Sequence, residues 1–273
     1  MAKRKNQWTE AKIARYQKEG RGQGELSNYK PWLTIQDVPS SGRAHRINGW
    51  KTKRIHHLLS DLERNYFYLL EWADEIIDIR EQYPLNREKT LQISETKHIK
   101  HPLDTTSQTP IVLTTDFFIT LRKGNNISYL ARTIKPSDQL NDARIIEKFE
   151  IECKYWDEMK VDWGIVSEKE LPQDVVKNIE WLHPSREITD SMDHQLISDF
   201  YHYIHDCTET ISECLRHFDK IYHLDQGSAL SLLKHLLATK KITFDINIPF
   251  SVSNSISLLE FPIKQPNEKR LAT

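Results

Sequence analysis

Residues 111–121 read IVLTTDFFITL, 122–126 read RKGNN and 127–135 read ISYLARTIK. The first run is apolar and β-branched, as a buried strand requires. Gly124-Asn125-Asn126 is a hairpin turn signal, and the last run is the partner strand, stopped by Pro136. Asp116 lies inside the otherwise apolar first strand. An unpaired buried carboxylate is costly, so this one calls for a cation. On the second strand a period of two puts Ile127, Tyr129, Ala131, Thr133 and Lys135 on one face, with Lys135 at its end, within reach of Asp116.

Upstream, Ile55, Leu58, Leu59, Leu62, Tyr66, Leu69 and Leu70 follow the helical period, and Glu63 borders their apolar face. The β-rich run 76–80 follows, and 86–109 is polar and reads as a loop or loose hairpin. Downstream, 140–155 is charged and helical, and 162–166 (DWGIV) reads as a further strand. This order predicts a mixed α/β core. Residues 168–190 are polar, with prolines at 172 and 184, so a boundary falls there. Beyond it, 197–222 and 228–237 read as helices and 241–250 (KITFDINIPF) alternates like a strand, the order of a winged-helix module. Two domains are expected: 1–167, a basic arm with the α/β core, and 168–273, mostly α and winged-helix-like.

The 273 residues carry 38 Lys/Arg and 39 Asp/Glu, a net charge of −1. That balance hides an asymmetry. Residues 1–57 hold 13 basic and 4 acidic residues, and the remainder holds 25 and 35. A basic end of this kind suits a polyanion, although a basic arm without a ligand has the same composition. Five of the eight glycines lie there, interleaved with aromatic and basic residues. The candidate DNA contacts are Arg21, Arg43, His45, Arg46, Lys51 and Arg54.

No apolar run approaches the ~18 residues of a membrane span. The charged start MAKRKNQW argues against a secretory signal. Three cysteines do not make a disulfide scaffold. Cys207 and Cys214, seven apart in a helical pattern, would stand ~10 Å apart along one helix, too far to bridge. A reducing compartment, the cytosol, is expected. GRGQG at 20–24 lacks the Gly-Lys-Ser/Thr of a phosphate-binding loop, and His194, His202 and His205 fit surface or core positions better than a zinc site.

Glu63, Asp116 and Lys135 together suit metal-assisted phosphodiester hydrolysis. Carboxylates hold Mg²⁺, the ion activates a water and stabilises charge on phosphate, and a lysine orients the attack. The same residues also fit a structural Asp116–Lys135 ion pair with Glu63 exposed, and the residues alone favour that arrangement.

Several blocks, in order, carry a resemblance. HHLLSDLE (56–63), DIREQYPL (78–85), TTDF (114–117), IKP (134–136) and YW (155–156) resemble the TnsA family of transposon endonuclease subunits. GRGQG (20–24), PSSGRAHR (39–46) and NIEWL (178–182) resemble its N-terminal region and domain junction. The resemblance implies a type II restriction-endonuclease-like catalytic domain and a C-terminal winged-helix domain. It implies a Mg²⁺ site, for which Mn²⁺ substitutes, with two ions. Glu63, Asp116 and Lys135 fall on its catalytic positions, the Ile134 backbone carbonyl on a metal-ligand position, and Glu152 on an acidic one. Thr133 departs from the usual Glu, or Gln in the best-known member, and is a poorer ligand. The implied activity is cleavage of the 5′ strands at transposon ends, beside a TnsB-type transposase that cuts and joins the 3′ ends and a TnsC-type ATP-binding regulator, in the bacterial cytoplasm. A stand-alone restriction-like or repair nuclease is the alternative. The three site residues together argue against a third possibility, a non-enzymatic DNA-binding adaptor.

Overall fold

In a computed structural model of the chain, residues 7–38, 42–187 and 193–262 are described; Pro39 to Ser41 of the PSSGRAHR block and the last three residues of the polar boundary segment lie outside them. The chain divides into two units, Met1–Leu171 and Pro172–Thr273.

The first unit opens with α1 (Glu10–Lys18), followed by the hairpin β1 (His45–Asn48) and β2 (Ile55–Leu58). α2 (Asp61–Trp72), β3 (Ile76–Pro84), α3 (Arg87–Thr96), β4 (Thr114–Lys123), β5 (Asn126–Ile134), α4 (Ala143–Glu158) and β6 (Asp162–Val166) complete it. The sheet runs β3-β4-β5-β6. β4 is antiparallel to both neighbours, and the turn at Gly124 sets the β4–β5 register with Phe117 opposite Arg132. β6 is parallel to β5, with α4 as the crossover that parallel pairing demands. The mixed sheet read from the sequence is therefore present.

Two elements of the first unit differ from the sequence reading. The helical spacing from Ile55 to Leu70 spans a strand and a helix, because Ser60 is an N-cap: its hydroxyl accepts from the Glu63 N–H at 3.1 Å. Within 55–58, IHHL also alternates, and pairing with His45–Asn48 selects the strand. Residues 87–96 form a helix where a loop was expected. Its buried face includes Thr90 and Ser94, whose hydroxyls donate to the Arg87 and Thr90 carbonyls, so the apolar stripe is nearly silent.

One core layer joins Leu85, Ile93, Phe118, Ala131, Ile151, Tyr155 and Trp156, packing α3 and α4 on the sheet. α2 adds Phe67 and sets Tyr66 edge-on to Phe117. A smaller cluster of Ile13, Tyr16, Trp32 and Val112 ties down the N-terminal segment.

The second unit is helical: α5 (Gln173–Leu182), α6 (His194–Asp206), α7 (Ile211–Ile221) and α8 (Ser228–Ala238). The helical stretch read over 197–222 breaks at 207–210, where Thr210 and Glu213 form a capping box. Cys207 and Cys214 thus belong to different segments, with the Cys207 thiol near enough to add to the burial that pushes Cys214 up, so the one-helix separation does not hold; both are free. Over 241–250 the strand reduces to an antiparallel bridge between Thr243 and Glu260. Asn178 takes up backbone groups farther along, donating to the Ile246 and Ile248 carbonyls at 2.9 and 2.8 Å and accepting from Phe250 N–H at 3.0 Å. Among the described residues no helix is long and apolar enough to cross a membrane.

Candidate active site

The capping of α2 determines where Glu63 goes. As the third residue of the helix it turns back on its own N-terminus, where its carboxyl accepts from Leu59 N–H and Ser60 Oγ, each at 2.9 Å. It is only 6% exposed, which removes the reading that left it on the surface.

Asp116, near the start of β4, is held from two sides. The backbone N–H of Ile134 donates to Oδ2 at 2.7 Å, and the Gln82 amide donates to Oδ1 at 3.0 Å. The strand order explains this arrangement. β4 lies between β3, which brings Gln82, and β5, which brings Ile134. Lys135 follows at the end of β5, its own N–H on the Val166 carbonyl at 3.0 Å, and its ammonium acts electrostatically on Asp116.

The two carboxyls form a pair. Burial pushes the Glu63 carboxyl well up, and the Asp116 charge pushes it further. Burial also raises Asp116, against the lowering pull of Ile134 N–H, Gln82 and Lys135. Two desolvated carboxyls held together without an ion pair of comparable strength disfavour their own ionisation. A hard divalent cation, which takes oxygen ligands, would relieve both penalties, so the residues present fit Mg²⁺. Among the described residues no set of three His, Cys, Asp or Glu gathers as ligands, so the remaining oxygens would come from backbone, water or substrate.

Glu152 of α4 occupies a separate, buried position. It accepts from the hydroxyls of Thr115 and Thr133, the latter at 2.6 Å. Trp156 Nε1 donates to Thr115 Oγ1 at 2.8 Å and Trp163 Nε1 to Thr133 Oγ1 at 3.1 Å. The Thr133 hydroxyl therefore already has both an acceptor and a donor. Burial is the largest cause pushing Glu152 up to about 7, with the Asp116 charge adding to it and the threonine hydroxyls opposing.

A pH dependence follows. The folded pKa of Glu152 stands above its ordinary 4.5, so its contribution to stability is complete below pH 4.5 and lost as pH rises through 7. In chelator, urea unfolding of the parent chain should lose about 3 kcal/mol through this group between pH 4.5 and 8, and Glu152→Gln should lack that part of the slope. Equal slopes would show that Glu152 ionises normally in the fold.

The candidate DNA contacts divide. Arg43 and Arg46 are exposed. His45 pairs with Asp61 at 2.7 Å and Lys51 Nζ donates to the Ala73 carbonyl at 2.8 Å. Arg21 is committed to Glu19, Asp37 and the Trp32 carbonyl, and lies over the Tyr16 ring. Arg54 is committed to the buried Glu81. His194, His202 and His205 border an open pocket with Tyr201 and Phe261 in the second unit.

Sequence reasoning missed Gln82, Thr115 and Trp156. Gln82 lay just past the run read as a strand, and a neutral amide carries no charge signal. The polar run Arg80-Glu81-Gln82, between Ile79 and Tyr83-Pro84, was the available clue.

Residues 73–168 match the family described as TnsA-like endonuclease N terminal, and residues 170–246 match TnsA endonuclease C terminal. Over 262 residues, 94% of each chain, the sequence is 39% identical to the transposon Tn7 transposition protein TnsA of Escherichia coli.

Proposed function

The chain belongs to the TnsA endonuclease family, and from that premise we propose that it is the subunit of a heteromeric cut-and-paste transposase that hydrolyses the 5′ strands at transposon ends. The observation that carries the proposal is the pairing of buried Glu63 with half-buried Asp116, delivered from a helix cap and a central strand to one locus beside Lys135.

In this reading Glu63, Asp116 and the Ile134 carbonyl would hold a divalent cation. Bound there, Mg²⁺ would neutralise charge on the scissile phosphate and favour deprotonation of the attacking water. Asp116 is oriented for its role by the Ile134 N–H, so the strand that carries one ligand also aims the other. Lys135 orients the attacking water and stabilises charge that develops on the phosphate. Arg43 and Arg46 meet DNA phosphates, a contact that positions without reading sequence. A TnsB-type transposase cuts and joins the 3′ ends, and a TnsC-type ATP-binding regulator is the third component, in the bacterial cytoplasm.

The test is strand-resolved cleavage of a transposon-end plasmid by the chain with its cognate transposase, with Mg²⁺ or with excess chelator. Breaks on the 5′ strand are expected with Mg²⁺ and their loss in chelator. Cleavage that persists in chelator would overturn the metal dependence. Equal cutting of plasmid by the chain alone would favour the stand-alone nuclease.

A further inference from the structure

Gln82 has an unusual backbone. It is 3% exposed, inside β3, and yet has φ +48°, the left-handed region that a side-chain-bearing residue adopts at a cost. Such a conformation persists only where the surroundings over-determine it. Here they do. Trp32 N–H donates to the Gln82 carbonyl at 3.2 Å. Tyr29 Oη donates to the carbonyl of the preceding Glu81 at 3.0 Å. Two residues on, Pro84 packs on Gly22 so closely that a Cβ there would fall 2.1 Å from its ring.

The result is an amide with a defined orientation. Thr114 Oγ1 donates to Oε1 at 3.0 Å, which turns the NH₂ group the other way. That group donates to Asp116 Oδ1 at 3.0 Å and lies close enough to the Glu63 carboxyl to favour its charged form. One neutral NH₂ thus holds Asp116 in place while facing the second acid, whose charge repels the first. A glutamate at this position would add a third charge, and an apolar residue would leave Asp116 without that donor.

We propose that Gln82 is the positioning residue that sets the divalent-cation affinity of the site, by fixing the orientation and separation of the Glu63 and Asp116 carboxylates without touching substrate. The proposal rests on the reading of those two carboxylates as cation ligands. It assigns the strain in β3 a purpose, because an extended Gln82 would aim its amide elsewhere. Loss of partners that orient metal ligands typically weakens metal binding about 10–100-fold.

The experiment titrates Mn²⁺ by calorimetry into the full chain with transposon-end duplex, using the parent, Asp116→Ala, Gln82→Gly and Gln82→Asn. Glycine accepts a positive φ without strain and removes the amide. Asparagine also tolerates that backbone but is one methylene shorter, so its amide falls short of Asp116. Both Gln82 variants are expected to bind Mn²⁺ about 10–100-fold more weakly, with unchanged DNA affinity and, for Gln82→Gly, an unfolding midpoint no lower than the parent's. In the assembled transposase their 5′ cleavage should recover at correspondingly higher Mn²⁺. Binding within twofold of the parent by either folded variant would overturn the proposal. Should glycine unfold the chain, Gln82→Asn alone decides. A parent that binds no Mn²⁺ where Asp116→Ala behaves identically would instead overturn the metal reading of the site, and this inference with it.

Discussion

Asp116→Ala should abolish 5′-strand cleavage at transposon ends while the partner transposase continues to nick the 3′ strands. The expected loss is at least about 10³-fold in rate, equivalent to about 4 kcal/mol of transition-state stabilisation. The size follows from how much converges on this carboxylate. It is a proposed cation ligand, it receives the Ile134 N–H and the Gln82 amide, and it feels Lys135. Its removal leaves an unpaired backbone N–H and a lone Glu63, whose carboxyl then loses the charge that helps push it up. Folding should survive, because no buried cation is left unpaired: Lys135 is only partly buried. The decisive readout is strand-resolved cleavage with matched DNA binding. Undiminished 5′ nicks in the variant would make Asp116 a structural residue and remove the catalytic assignment.

What the sequence made legible was the central hairpin and the acid upon it. Apolar, β-branched runs flanking Gly124-Asn125-Asn126 leave little choice of structure, and a carboxylate inside such a run stands out by cost alone. β6 was also plain, and its register beside β5 follows from the crossover through α4. The burial of Glu63 was not legible, since helical spacing places it at a border and only Ser60 as a cap turns its carboxyl inward. α3 was hidden for a related reason: hydroxyls that satisfy themselves on the preceding turn can be buried, yet they read as polar. Gln82 lay beyond any periodicity argument, because its position depends on a backbone angle held by Trp32, fifty residues upstream in the sequence. In the second unit, alternation over 241–250 predicted a strand that shrinks to the Thr243–Glu260 bridge, because Asn178 takes up the backbone at 246, 248 and 250 with three side-chain hydrogen bonds. Patterning records which side chains are buried; it does not record what satisfies the backbone.

The network beneath Gln82 gives the second large expectation. Glu81 is fully buried, and its carboxylate is met by Arg54 Nη1 and Nη2 at 2.7 and 2.5 Å, by His56 Nδ1 at 2.8 Å and by His57 N–H at 3.1 Å. Burial alone would raise its pKa, and the facing His56 and Arg54 reverse this and hold it well below the ordinary carboxylate range. Glu81→Leu would leave the Arg54 guanidinium buried without its counter-charge, and breaking such a pair costs about 3–5 kcal/mol. For a chain of this size that is a fall of about 10 °C or more in unfolding midpoint. Removing both partners, Arg54→Met with Glu81→Leu, should recover much of the loss, because the desolvation of two charges goes with them. The wild-type interaction is present above the ordinary carboxylate pKa and lost as pH falls through the lowered one, so the gap between parent and Glu81→Leu should narrow in acid. If the double variant is no more stable than the single, the cost lies in packing and not in the orphaned guanidinium. Mn²⁺ affinity separates this network from the site. Gln82 is held by Trp32 N–H, by the Thr114 hydroxyl and by the packing of Pro84 on Gly22, none of which uses the Glu81 carboxylate, so a folded double variant should bind Mn²⁺ as the parent does.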